Sequence, residues 1–244
     1  MKMASEYRSI VVLTGAGVSA ESGLATFRDS NGLWNNHRIE DVATPEGFER
    51  NPKLVWEFYS TRRRDALSAT PNAAHHALAA FSSFCHANRI GFNLVTQNVD
   101  GLHESAHRQA GAAMPLTMHG RVHESRCTQC GNVFPDEKIY NAGELPLSGC
   151  CRTLLRPNIV WFGELPQFIP EITRSLECCD LFVTIGTSGN VYPAAGFLIQ
   201  AKDAGADTIC LNKERIPQDR YIDRHLEGPA TKLVPEFFRC GPTR

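Results

Sequence analysis

The sequence predicts an α/β chain: a doubly wound, Rossmann-like parallel sheet with a smaller module inserted into it. Three observations carry this prediction. Four apolar runs, SIVVLT from Ser9, FNLVT from Phe92, LFVTIG from Leu181 and DTICL from Asp207, read as strands buried on both faces. Helix-like segments lie between them, among them NAAHHALAAFSSF from Asn72 and PAAGFLIQAKDAG from Pro193, the latter closing on Lys202 and a Gly205 stop signal. Strands alternating with helices give a parallel sheet whose ligands sit at the carboxyl ends of the strands. Two stretches break the alternation: residues 35 to about 70 are helical and charged, and 121–155 carry clustered cysteines and turn formers. The expected division is a large unit of residues 1–34, 71–120 and 156–244, and a small one of 35–70 and 121–155.

Bulk composition narrows the function. The 244 residues are 42% hydrophobic and 21% charged with a net charge of -1, so no field of one sign attracts nucleic acid or an anionic membrane. No apolar run approaches the roughly 18 residues of a membrane helix, and the start MKMASEYRSI has no signal-peptide core. A cytoplasmic protein is expected. Nine cysteines, an odd number, argue for thiols and metal ligands rather than a disulfide framework.

Each predicted strand ends in a small or polar cluster. After the first comes TGAGVSAESG, where Gly15, Gly17 and Ala20 follow the G-x-G-x-x-G/A spacing; this fits either a pyrophosphate cradle opening a helix or an ordinary tight turn. No acidic residue stands on a second strand about 20 positions later, since Glu40 and Asp41 fall in the insertion, so the binding mode should differ from that of common dehydrogenases. TQNVD places Gln97, Asn98 and Asp100 after the second strand. MHG places His119 after the short run PLTM, where a histidine serves as a general base or as a structural residue. Gly186, Thr187 and Ser188 follow the third strand and Asn212 the fourth. In EFYSTRRR, helical spacing sets Tyr59 beside Arg62 and Arg63 and turns Arg64 elsewhere. Cys127 and Cys130 form a C-x-x-C knuckle that points two thiolates at one zinc.

Taken together, GAGVSAESGLATFRDSNGLW, TQNVD, MHG, CTQC, LRPNIVWFGE, IGTSGNVYPAAGF and GPA resemble, in order and over nearly the whole chain, the sirtuin family of NAD-dependent protein lysine deacylases. The likeness is to the bacterial deacylase type, in the desuccinylase-like class. The resemblance implies that Gly15, Ala16, Gly17, Ala20, Thr26, Phe27, Arg28 and Trp34 hold the NAD diphosphate and close over the nicotinamide. It implies that Gln97, Asn98 and Asp100 line the ribose and nicotinamide pocket, and that Gly186, Thr187, Ser188, Asn212, Lys213, Glu214 and Ala230 hold the adenosine half. His119 would be the catalytic base, Val160 and Phe162 would line the acyl-lysine tunnel, and Asn158-Ile159-Val160 would pair with the substrate peptide as a strand. Trp161 and Phe162 fit the tunnel and the core equally. The implied products are deacylated lysine, nicotinamide and O-acyl-ADP-ribose.

Tyr59 and Arg62, two residues between them, match the family mark of enzymes that accept succinyl and malonyl groups, and Ala66 and Ala69 leave room for the longer arm. Arg63 and Arg64 are expected to be solvated. The resemblance also calls for a second cysteine pair before LRP, but the chain reads Ser148-Gly149-Cys150-Cys151. Cys151 holds the last ligand place and serine the third, so either a structural zinc on Cys127, Cys130 and Cys151 is completed by Cys150 or by His123, or the module is partly degenerate and metal-poor. Cys85, Cys178, Cys179 and Cys210 are expected to pack in the core. The expected partners are NAD and acyl-lysine proteins or peptides, with no nucleic acid and no membrane, and the expected state is a monomer. Two rivals share the NAD site: an ADP-ribosyltransferase or NAD hydrolase, and a binding module that senses NAD without turnover.

Overall fold

The computed structural model describes residues 3–26, 33–34 and 37–240. In chain order these form β1 (Ser9–Thr14), the short antiparallel pair β2 (Leu33–Trp34) and β3 (His37–Arg38), and helices α1 (Ile39–Val42), α2 (Pro45–Arg50), α3 (Pro52–Ser68) and α4 (Ala73–Ala87). There follow β4 (Gly91–Thr96), α5 (Leu102–Gln109), β5 (Leu116–Thr117), β6 (Gly120–Cys127), β7 (Val133–Pro135) and β8 (Leu155–Ile159). The chain closes with α6 (Ile169–Cys178), β9 (Leu181–Ile185), α7 (Ala194–Asp203), β10 (Asp207–Asn212), β11 (Arg224–Glu227) and α8 (Ala230–Phe237). No helix among the described residues is long and apolar enough to cross a membrane.

Six strands make a parallel sheet in the order β11-β10-β9-β1-β4-β5, with β1 and β9 at its centre. Successive side chains of a strand point to opposite faces. Ile10 and Val12 accordingly pack with Leu78 and Phe81 of α4 and Val234 and Phe237 of α8, while Val11 and Leu13 pack with Ile172 and Leu176 of α6 and Leu198 of α7. Burying both faces is what makes the four apolar runs strands rather than amphipathic ribbons. Each fully buried large side chain contributes about 1.5–3 kcal/mol.

A three-stranded antiparallel sheet, β7-β6-β8, stands apart from the main one. Helix α3 covers it: Val55, Trp56, Phe58 and Tyr59 share a core with Val122 of β6, Leu155 and Ile159 of β8, and Trp161. The charged helical stretch and the cysteine-rich stretch are thus packed on one another.

Three expectations change. No α-helix follows the glycine-rich turn; two 3-10 turns, Ala16–Val18 and Ala20–Ser22, stand there instead. The N–H groups of Gly15 and Gly17 donate across the sheet to the carbonyls of Ile185 and Gly186 at 3.0 and 2.8 Å, which takes the segment off helical geometry. Arg63 is fully buried rather than solvated, whereas Arg64 is exposed. Cys178 is exposed at the end of α6, while Cys85, Cys179 and Cys210 are buried.

Candidate active site

A cavity of about 920 Å³ opens at the carboxyl ends of β1, β4, β9 and β10 and runs to α3 and the end of β8. On one side it is lined by Gly15, Ala16, Gly17, Ala20 and Thr26, faced by Gly186, Thr187, Ser188, Asn212, Lys213, Glu214 and Ala230. The two loops interlock closely. A Cβ on Gly17 would lie 2.7 Å from the Gly186 carbonyl oxygen, so only glycine lets these backbones meet. Gln97 Nε2 donates to Thr187 Oγ1 at 3.1 Å, and Asn212 Nδ2 donates to the Thr187 carbonyl at 2.9 Å. A glycine-walled backbone cradle with fixed amides around it suits the dinucleotide that the sequence resemblance implies. Phe27 and Arg28 lie outside the described residues, and of Trp34 only the backbone is described.

Ser19, Asn98 and Asp100 of the cavity wall, with His75 behind them, hold one another in a definite sense. His75 Nδ1 lies 3.2 Å from the Asn72 backbone N–H, which can only donate, so the ring hydrogen is on Nε2. Nε2 therefore donates to Ser19 Oγ at 3.3 Å. Ser19 Oγ also receives Asn98 Nδ2 at 3.1 Å and donates to Asp100 Oδ2 at 2.7 Å. Burial pushes the His75 pKa down to about 3, so the ring is neutral, and burial raises that of Asp100 against the hydrogen bonds from Leu102 and Ser19. Sequence reasoning missed Ser19 and His75 as part of this set. The spacing Asn72-x-x-His75, a helix-capping signature here closed by histidine, is the signal that could have found them.

His119 lies in the same cavity. Its Nδ1 is 3.1 Å from the Gln97 carbonyl, which only accepts, so Nδ1 carries the hydrogen and Nε2 keeps the lone pair a base needs. Burial lowers its pKa, with the Gln97 bond opposing, and the ring is neutral at pH 7. The Val160 N–H donates to the His119 carbonyl at 2.9 Å, tying the histidine to the chain leaving β8.

Beyond His119 the wall changes character. Tyr59, Arg62, Asp65 and Ala66 of α3 face Val160, Trp161 and Phe162. Ala69 does not reach the cavity wall. Tyr59 is fully buried, and Trp161 Nε1 donates to its hydroxyl at 3.0 Å. Burial raises the Tyr59 pKa, so the phenol keeps its hydrogen. Arg62 is half-buried, its guanidinium 5.7 Å from the centre of the Phe58 ring; burial lowers its pKa, opposed by Tyr59, Asp65 and Asp100, and an arginine stays charged under that shift. Trp161 belongs to the core and is 2% exposed, while Phe162 at the mouth is 43% exposed.

The cysteine cluster lies at the far end of β6. The Sγ atoms of Cys127, Cys130, Cys150 and Cys151 all lie within 4.8 Å of one another, and those of Cys130 and Cys150 are 3.5 Å apart. Four thiolates about 2.3 Å from one zinc stand about 3.8 Å apart, so this set suits a tetrahedral zinc. Cys150, rather than His123, is the fourth side chain of this cluster. His123 turns away, donating Nε2–H to the Asp100 carbonyl at 2.8 Å. Ser148, in the third position of the irregular pair, accepts the N–H groups of Cys151 and Thr153 and shapes the loop that brings Cys150 in. The Cys130 amide, with the Ser148 and Thr153 hydroxyls, pulls the Cys127 pKa down to about 5.

The Sir2 family model matches residues 15–193. An NAD-dependent protein deacylase SIR2rp3 of Leishmania major is 50% identical over 234 residues, covering 94% of each chain. An NAD-dependent protein deacylase of Pasteurella multocida is 48% identical, with 93% of this chain and 95% of that one aligned. Among solved structures, a mutant Sir2 homologue in complex with ADP-ribose superposes with a TM-score of 0.88 at 38% identity, covering 98% of this chain and 93% of the other. A Sir2 protein bound to acetylated peptide gives 0.79 at 27% identity, covering 95% and 92%.

Proposed function

This chain belongs to the Sir2 family, and from that premise we propose that it is an NAD-dependent protein lysine deacylase that removes succinyl and malonyl groups, and acetyl groups as well. The observation that carries the acyl preference is the placement of Tyr59 and Arg62 in the same cavity as His119 and Asn98. An arginine fork meets a carboxylate through two parallel hydrogen bonds, and a protonated phenol donates beside it. A hydrogen bond to a charged group contributes about 1.5–3 kcal/mol, or roughly 10–100-fold in preference. Neutral acyl groups lose that contribution and still fit.

The cradle of Gly15, Gly17 and Gly186 with Asn212 and Ala230 is assigned to NAD. NAD when bound supplies the glycosidic bond whose cleavage releases nicotinamide and lets the acyl group pass to ADP-ribose. The protein does the rest. Neutral His119 accepts a proton at Nε2 from a ribose hydroxyl, and a positioned base of this kind contributes roughly 10²–10⁴-fold. The Ser19–Asp100–His75 set holds the Asn98 amide in one orientation. Val160, fixed by its bond to His119, and Phe162 at the mouth flank the acyl-lysine arm.

The test is mass-resolved product analysis with NAD and paired acetyl- and succinyl-lysine peptides, on the wild type and Arg62→Met. Free lysine with O-acyl-ADP-ribose is expected from both peptides, with Arg62→Met losing desuccinylation and keeping deacetylation. ADP-ribose on protein or free in water without deacylation would point to a transferase or hydrolase. No nicotinamide release at all would point to a sensor.

A further inference from the structure

The indole of Trp161 is held by Arg156, Glu164 and Phe48. The Arg156 guanidinium lies over it, Cζ 3.4 Å from the ring centre. That guanidinium is itself fixed by two bonds to the Glu164 carboxylate, at 2.6 and 2.8 Å, and one to the Ile159 carbonyl at 2.9 Å. Glu164 also accepts the Trp161 backbone N–H at 2.8 Å, and Arg126 reaches it at 3.4 Å. Phe48 packs on the ring from another direction, centres 5.4 Å apart. Arg156 and Trp161 are both largely buried, so this is a rigid mount rather than a surface ion pair.

What the mount delivers is a single N–H, directed at the Tyr59 hydroxyl at 3.0 Å. An indole N–H donates and never accepts. The phenol oxygen must therefore accept along this line, and its own hydrogen points away from the indole. We propose that Trp161 is a specificity-positioning residue: held by Arg156 and Glu164, it sets the direction in which Tyr59 donates, and so tunes recognition of a carboxylate-bearing acyl group. Trp161 acts through Tyr59, and its effect belongs to acyl choice rather than to the bond-breaking steps. This inference rests on the reading of Tyr59 and Arg62 as the acyl-carboxylate site.

The discriminating experiment is a double-mutant cycle on the holoenzyme with succinyl- and acetyl-lysine peptides. Trp161→Phe keeps an aromatic ring for Arg156 and Phe48 and removes the N–H donor together with the volume of one ring, a packing loss that falls on both peptides alike and cancels in their ratio. One neutral hydrogen bond is worth about 2–12-fold, so Trp161→Phe is expected to raise KM for the succinyl peptide by that factor relative to KM for the acetyl peptide. In a Tyr59→Phe background the same substitution should change that ratio no further. Equal losses on both peptides, or additive effects of the two substitutions, would overturn the proposal while leaving the acyl site intact. An unchanged succinyl-to-acetyl ratio in Arg62→Met and Tyr59→Phe would instead remove the acyl site, and the proposal with it. Should Trp161→Phe not fold, Arg156→Lys loosens the mount while keeping its charge; it is expected to shift the same KM ratio in the same direction, and no shift counts against the proposal.

Discussion

Arg63 offers the sharpest test of how the small module is built. Its side chain lies between α3 and the β6–β7 region with every guanidinium nitrogen engaged. Nε donates to the Val122 carbonyl at 2.8 Å, one terminal nitrogen to the Lys138 carbonyl at 2.7 Å and to Asp136 Oδ2 at 3.1 Å, and the other to Ser125 Oγ at 3.4 Å. Trp56 and Tyr140 flank it, ring centres 5.6 and 5.9 Å from Cζ. Arg63→Met keeps much of the volume and deletes the cation. Asp136, only 11% exposed, retains the Ser125 and Tyr140 hydroxyls but loses its counter-ion, and two carbonyls lose their donors. Removing one partner of a buried pair costs about 3–5 kcal/mol. At about 2–4 °C per kcal/mol for a chain of this size, the melting temperature should fall by roughly 6–20 °C. Scanning calorimetry is the assay, with exposed Arg64→Met as the control, expected within about 0.5 kcal/mol of wild type. If Arg63→Met melts within 2 °C of wild type, Arg63 is not the pin between α3 and β6, and the burial argument fails.

Metal analysis should find one zinc per chain, lost in Cys150→Ser and kept in His123→Ala; the reverse pattern would show that the histidine, not the second adjacent cysteine, completes the site. Chelation should lower the melting temperature, because metal binding to such a module is folding free energy. Acid should weaken the protein before most carboxylates titrate. His75, His103, His107 and His119 all have pKa values lowered by burial, so below pH 6.5 the unfolded chain takes up protons that the folded one refuses, and stability falls as pH falls. Four such groups give a slope of about 5 kcal/mol per pH unit at most, and the raised carboxyls of Asp100 and Glu104 act in the opposite direction, leaving roughly 3–5. Urea unfolding at pH 7.0 and 5.5 measures it, and equal stability at both would contradict the neutral histidine assignment.

The main sheet and the strand-end residues were legible because their signal is local: a strand buried on both faces is apolar throughout, and ligand groups gather where it ends. The glycine-rich spacing does not reveal that this segment stays off helical geometry, because its partners, the carbonyls of Ile185 and Gly186, are about 170 residues away in the chain. Strand β6 was hidden for a related reason. Its sequence GRVHESRC has no apolar alternation, and its buried Ser125 is tolerated because Arg63 and Asp136 supply the partners. The three arginines show the limit most directly. Successive residues on a helix are about 100° apart, and α3 has three different surroundings at that angular spacing: Arg62 faces the cavity, Arg63 the β6 sheet and Arg64 solvent. Periodicity fixes which of them are neighbours, but not how the helix is turned about its axis. That rotation is set by Trp56 and Tyr59, which pack against Leu155, Tyr140 and Trp161. The side chain proposed to read the acyl group and the one that ties α3 to β6 are therefore adjacent in sequence yet separable by mutation: Arg62→Met should alter acyl choice at nearly constant stability, and Arg63→Met should do the reverse at a temperature where the fold still holds.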